Sequence, residues 1–206
     1  MMRVMARDPM IENSKKMSWL LRHGAAAQGI TMDGAGWVAI EDVLRALRLS
    51  RDALDAVVRD NAKSRFEVEG PRIRASQGHS TAPGAVSLAA LEASWLRFAG
   101  PGPLWHGTST AAVAGIAREG IQSIARTHVH LAAATDSQVG KRANVAVLIE
   151  VSVPRLHAAG IAVLQSPNGV ILVRSVPVSC IVGLVGVTRE GRAREAELRA
   201  RLGLPA

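Results

Sequence analysis

Apolar residues recur at helical spacing through roughly the first sixty positions, then give way to short alternating or continuous runs set off by glycine and proline. That switch rules out a pure helical bundle or a pure sandwich and predicts an α+β protein with its helices concentrated early. Ser14 is placed to N-cap a helix over residues 15–23 that Gly24 ends, with Met17, Leu20 and Leu21 on the buried face. A second helix carries the stripe Ile40, Val43, Leu44 and Leu47. A third, capped by Ser50, carries Leu54, Val57 and Val58. From Lys63 the period is two: Ser64, Phe66 and Val68 alternate with Lys63, Arg65 and Glu67, Gly70-Pro71 turns, and Arg72-Ile73-Arg74 starts the return strand. On such strands Lys63 and Arg65 share a face, as do Arg72 and Arg74. Cations so arranged suit a phosphate or a nucleic-acid backbone, and equally suit an edge hairpin protected from aggregation.

Gln77-Gly78-His79-Ser80 follows as a small polar cluster, then a helical pattern over residues 88–98 bracketed by breakers at 82–84 and 99–103, where a domain boundary is expected. Residues 104–131 then read as strand, helix, strand. Leu104-Trp105-His106-Gly107-Thr108-Ser109 leads into an amphipathic run at 111–118 closed by Gly120, and Arg126-Thr127-His128-Val129-His130-Leu131 forms the return. Apolar runs at 145–153, 161–164, 170–173 and 180–187 predict a compact β-rich domain. Ser166-Pro167-Asn168-Gly169 is a tight turn whose side chains are candidates for facing a ligand. Residues 188–206 read as a charged, peripheral helical tail, and residues 1–13 as a leader.

The formal net charge is +8, compatible with an anionic partner. Between Pro101 and Val187 the only acids are Glu119, Asp136 and Glu150, against six arginines and lysines. Chemistry that depends on a carboxylate base has few candidates there, whereas phosphate binding fits. One cysteine, Cys180, precludes an intramolecular disulfide framework and suits a reducing compartment. Without a secretory signal or a membrane-length apolar run, a cytoplasmic protein is expected, with a monomer as the default state. There is no Rossmann glycine fingerprint and no P-loop. His106, His128 and His130 lack a nearby cysteine or suitable carboxylate to complete a ligand set, so no metal centre is expected.

The blocks taken together resemble the RNA 2′-phosphotransferase family, the KptA-like enzymes of tRNA-splicing chemistry. The resemblance runs in order through residues 14–23 around Leu21-Arg22-His23, Gly36-Trp37-Val38, Lys63-Ser64-Arg65-Phe66, Gln77-Gly78-His79-Ser80, His106-Gly107-Thr108, Arg126 to Leu131, and Ser166 to Val170. Met17 stands where leucine is usual, and Trp105 where tyrosine or phenylalanine is common. The resemblance implies a winged-helix lobe over residues 14–98 that binds the RNA 2′-phosphate, and an ADP-ribosyltransferase-like lobe over 99–187 that binds NAD. It also implies a two-step reaction. An internal RNA 2′-phosphate displaces nicotinamide from NAD, giving an ADP-ribosylated 2′-phosphate. The ribose 2″-hydroxyl then attacks phosphorus, releasing 2′-hydroxyl RNA and ADP-ribose 1″,2″-cyclic phosphate.

The family's catalytic set falls on Arg22, His23, Lys63, Arg65 and Arg126. Its NAD contacts fall on His106, Gly107, Thr108, Ser109, His130, Leu131, Ser166 and Asn168. Arg74, Gln77, His79, Ser80 and Arg142 are the further expected contacts to RNA or its phosphate. The attacking group in such a reaction is charged beforehand, which agrees with the scarcity of acids. The alternative is an ADP-ribosyltransferase that modifies protein, small molecules or terminal phosphates of nucleic acid and stops after the first step.

Overall fold

The computed structural model describes residues 8–61, 63–81, 86–137 and 145–205. The leader before Asp8, the breakers at 82–84 and Lys141-Arg142 therefore lie outside the described residues. The chain divides into two compact units, Met1–Ser94 and Trp95–Ala206.

In the first unit, helix α1 spans Pro9–Trp19. Its cap is Asp8, which accepts from the Met10 amide, and Pro9 occupies the first turn, where its missing N–H costs nothing. The expected start at Ser14 is thus corrected: Ser14 lies inside the helix and its hydroxyl accepts from Asn61 Nδ2 at 3.3 Å. The chain then widens into a π-helical turn, Leu20–Gly24, which carries Arg22 and His23. Such turns are uncommon and concentrate at functional sites. Helices α2 (Ile40–Leu47) and α3 (Arg51–Arg59) form where their stripes predict, with Ser50 capping α3 through the Ala53 amide.

Strand β1 (Val38–Ala39) pairs with β3 (Arg72–Ala75), which pairs with β2 (Phe66–Glu69), all antiparallel. Met17, Leu20, Leu21, Val43, Leu54 and Ile73 fill the core beneath. The ladder begins at Phe66, not Lys63. Asn61 Oδ1 accepts from the Lys63 amide at 3.1 Å, the Ser64 amide donates to Asn61 O at 2.8 Å, and Ser64 has φ 41°. That Asx-type turn overrides the alternation that placed Lys63 and Arg65 on one strand face. Helix α4 (Leu88–Ala93) closes the unit.

In the second unit, the expected helix over 88–98 has already stopped, and Leu96–Arg97 forms edge strand β4. Among the described residues one sheet runs β12 (Ile181–Gly186), β8 (Val147–Val151), β5 (Leu104–Thr108), and another runs β4, β9 (Leu164–Gln165), β10 (Ile171–Val173), β7 (Val129–Leu131). Trp105 and Ala132 join the two by reciprocal backbone bonds of 2.9 Å. Helix α5 (Val113–Glu119) follows a 3₁₀ turn at Thr110–Ala112 and ends at Gly120. Helix α6 spans Val153–Ala158, and a short strand pair, β6 (Ile121–Gln122) with β11 (Ser175–Val176), completes the middle of the unit.

The C-terminal segment does not behave as a peripheral tail. Helices α7 (Arg189–Ala193) and α8 (Glu195–Arg201) pack on β12, and Leu198 and Leu202 are buried in the same core as Leu104, Ile149 and Ile171. Glu195 accepts from the Gly186 amide at 2.8 Å, and Glu190 accepts from Thr110 Oγ1 at 2.5 Å. No helix among the described residues is long and apolar enough to cross a membrane.

Candidate functional site

In the first unit, a cavity of about 490 Å³ has Arg22, Arg65, Ser14, Ser18, Asp60 and Asn61 among its lining residues. Arg22 reaches it from the π-helical turn and Arg65 from the turn before β2. Asn61 organises this corner. Its Oδ1 accepts both the Lys63 amide and Arg65 Nη1 at 3.0 Å, while its Nδ2 donates to Ser14 on α1. One amide therefore fixes the direction of the Arg65 guanidinium and the shape of the turn that precedes it. Asn61 was not among the expected site residues; its signal in the sequence is an asparagine two positions before Lys63, the spacing of an Asx turn. Burial pulls the Arg65 guanidinium below its ordinary pKa, yet arginine remains charged at neutral pH. Lys63 and His23 are exposed and do not line the cavity.

The Gln77–Ser80 block supports Arg22 from behind. Ser80 donates to the Arg22 carbonyl twice, from its amide at 3.0 Å and its hydroxyl at 3.3 Å. Gly78, at φ +90°, has the left-handed backbone that favours glycine, and a Cβ there would come 3.2 Å from Arg22 Nε, a tight contact. His79 is fully buried against Gly36, where an added Cβ would meet its Nε2 at 2.5 Å. Gln77 is buried as well, and its Oε1 has no hydrogen-bond partner among the described residues.

Arg74 is placed differently from Arg65. It is 4% exposed, donates to Glu67 Oε2 and Ser94 Oγ at 2.8 Å and to the Ala35 carbonyl at 3.3 Å, and lies 4.7 Å from the Trp37 ring centroid. Arg72 shares that face, as the alternation requires, 5.3 Å from the same ring. On that face Arg74 is buried beside Trp37, whereas Arg72 stays exposed and pairs with Glu69 at 2.7 Å. Arg74 is the cation that ties the hairpin to the rest of its unit.

In the second unit, β5 and β7 supply the polar groups. His106 Nδ1 lies 3.1 Å from the His130 carbonyl; a carbonyl only accepts, so Nδ1 carries the proton. Arg126 Nη1 lies 2.9 Å from His130 Nδ1; a guanidinium only donates, so that nitrogen holds a lone pair. His130 thus links the His-Gly-Thr strand to Arg126, its carbonyl orienting one side chain and its ring the other. Thr108 ends β5 nearly buried. Ser109 caps the next turn, its hydroxyl accepting from the Ala112 amide at 3.3 Å.

Gly107 is packed under Val145, where a Cβ would meet Val145 Cγ2 at 2.6 Å, and Leu131 is wholly buried. His128 also turns inward, edge-on to Trp95 with ring centroids 5.0 Å apart, and serves the core. Ser166 and Asn168 bond to each other at 2.8 Å within a turn closed by the Gly169 amide on the Ser166 carbonyl. The first unit thus brings Arg22 and Arg65 together around one cavity, and the second brings Arg126, His130 and His106 into one bonded chain.

A family model described as RNA 2′-phosphotransferase, Tpt1/KptA family, matches residues 8–175. A protein of Pseudomonas aeruginosa (strain PAO1) named "Probable RNA 2′-phosphotransferase" is 38% identical over 186 residues, which covers 86% of this chain and 98% of the relative. One of the same name from Rhizobium leguminosarum bv. trifolii is 37% identical over 174 residues, 81% of this chain and 90% of the relative. Another, from Pseudomonas syringae pv. tomato, is 36% identical over 176 residues, with the same two coverages of 81% and 90%.

Proposed function

Because the chain belongs to the RNA 2′-phosphotransferase, Tpt1/KptA family, we propose that it removes an internal 2′-phosphate from RNA by passing it to NAD. The observation that carries this reading is the pairing of Arg22 and Arg65 on one cavity, with Asn61 holding the Arg65 guanidinium and Ser80 the Arg22 backbone. An RNA 2′-phosphate is anionic at neutral pH and needs no base to make it a nucleophile. It needs cations that orient it and later stabilise charge at phosphorus. Planar guanidinium groups do this with two parallel donors, and their pre-set directions reduce the ordering cost. Lys63 and His23 are the exposed neighbours that complete the phosphate contacts.

The donor set of the second unit fits a dinucleotide. His106, Thr108 and Ser109 offer a ring nitrogen and hydroxyls suited to a ribose and a carboxamide, and no carboxylate from residues 101–118 competes there. NAD supplies the accepting carbon, from which nicotinamide departs, and the hydroxyl that takes over the phosphate. His106, held by the His130 carbonyl, orients the ribose, and the His130 ring fixes the direction of the Arg126 guanidinium. The order of helices followed by a hairpin in the first unit supports a winged-helix lobe. The paired small sheets of the second support an ADP-ribosyltransferase-like one.

The test is incubation of the protein with NAD and a 2′-phosphorylated oligonucleotide. Nicotinamide, a free 2′-hydroxyl and ADP-ribose 1″,2″-cyclic phosphate are expected. Stable ADP-ribosylated RNA with no loss of phosphate would instead identify a transferase that stops after the first step.

A further inference from the structure

The cavity that contains Arg22 and Arg65 is larger and less polar than a phosphate requires. At 490 Å³ it falls in the range of sites that enclose a whole small ligand. The guanidinium groups occupy only part of its lining. Met10 and Ile11, from the first turn of α1, contribute apolar surface, as does Val57 of α3. Met10 and Ile11 are 38% and 55% exposed, although farther along the same helix Met17 is in the core. Ile11, Lys15, Ser18 and Arg22 recur at spacings of four, three and four, so one helix face lines the cavity with an apolar side chain at its start and cations at Lys15 and Arg22. At 1.5 Å per residue that face is roughly 16 Å long, far longer than one phosphate. Asp60, on the same lining, accepts hydrogen bonds from an exocyclic amine or a ribose hydroxyl.

We propose that this cavity is a nucleoside subsite. The base and sugar of an RNA nucleotide next to the 2′-phosphate lie against Met10 and Ile11, while Arg22 and Arg65 hold the phosphate itself. The assignment rests on the phosphate-binding reading given above and extends it to the nucleotide. A base offers an apolar face and a polar edge, and the lining offers aliphatic side chains with Ser14, Ser18 and Asn61 between them and the cations. The cations commit the site to an anionic ligand, and the apolar wall commits it to one that carries more than charge. With no aromatic residue among the described lining residues, the base is held by aliphatic contact and edge hydrogen bonds rather than by ring stacking.

The test uses the full chain, without NAD, and fluorescence polarisation of two 2′-phosphorylated oligonucleotides. One is intact; the other lacks the bases at the phosphorylated nucleotide and its neighbours. The wild type should bind the intact oligonucleotide more tightly. The double variant Met10→Ser/Ile11→Ser should weaken that binding about tenfold and leave the abasic one nearly unchanged. Met10→Leu/Ile11→Leu should restore the preference, and because both side chains are exposed neither variant should shift the melting temperature much. Equal affinity of the wild type for the two oligonucleotides would overturn the proposal, as would unchanged binding by the serine variant. The two readings fail separately. Phosphate transfer to NAD with no preference for bases removes the subsite alone, while a base preference lost in the serine variant upholds the subsite even if no transfer to NAD occurs.

Discussion

The two units fix their functional side chains by different means. In the first, Arg22 and Arg65 stand on a π-helical turn and an Asx-type turn, and polar side chains hold them: Ser80 on the Arg22 carbonyl, Asn61 on the Arg65 guanidinium. In the second, His106 and His130 stand on strands of two sheets, and the Trp105–Ala132 bridge between those sheets brings them together across 24 positions of sequence. A cation borne on a turn has no ladder to orient it, so it depends on accessory hydrogen bonds. A side chain on a paired strand inherits its direction from the backbone. The first site should therefore be sensitive to its supporting residues and the second to its strands.

The largest effect should come from the cation that is not at the site. Arg74→Ala removes the partner of the partly buried Glu67 and should cost roughly 3 kcal/mol of stability, seen as a lowered urea midpoint. A normal midpoint with lost RNA binding would place Arg74 at the phosphate and blur the contrast. Arg65→Ala should reduce kcat/KM for a 2′-phosphorylated oligonucleotide about a hundredfold, roughly 2.7 kcal/mol, with the midpoint little changed. Arg65→Lys should recover only part of it, since an ammonium lacks the planar fork.

Asn61→Ala should cost about tenfold in the same ratio by releasing Arg65. If Asn61→Ala kept full activity, Arg65 would need no support, and the distinction between turn-borne and strand-borne residues would fail. Smallest is Lys63→Ala. Exposed and outside the cavity, it should weaken RNA binding a fewfold and lower the slope of log affinity against log salt by about 0.7.

The elements with strong local signals were legible beforehand. Helices α2 and α3 follow their apolar stripes, Ser50 caps α3, Gly120 ends α5, and the turn at 166–169 forms through Gly169 at φ +80°. Where the reading slipped, a competing local bond or a long-range contact decided the outcome. Asp8-Pro9 is a stronger helix start than Ser14, because the aspartate side chain reaches the Met10 amide and proline needs no donor there. At Lys63 the Asn61 side chain took the backbone amide that a strand would have used.

Arg74 was read by its charge, but its environment is set by Trp37, Glu67 and Ser94, which lie 37, 7 and 20 positions away and give no local periodic signal. The C-terminal helices looked peripheral because their sequence is mostly charged. Two leucines, Leu198 and Leu202, suffice to insert them into the core. Arg22 and Arg65, which the motifs name, share one cavity, whereas the contacts of Ser80 and Asn61 with them come only from geometry.

The division of labour between the units is tested most directly by titrating NAD and a 2′-phosphorylated oligonucleotide separately against Arg65→Ala and His106→Ala. Arg65→Ala should weaken the oligonucleotide and leave NAD affinity within about twofold, while His106→Ala should weaken NAD about tenfold and leave the oligonucleotide unchanged. Equal loss of both ligands in either variant would contradict the assignment of phosphate to the first unit and dinucleotide to the second.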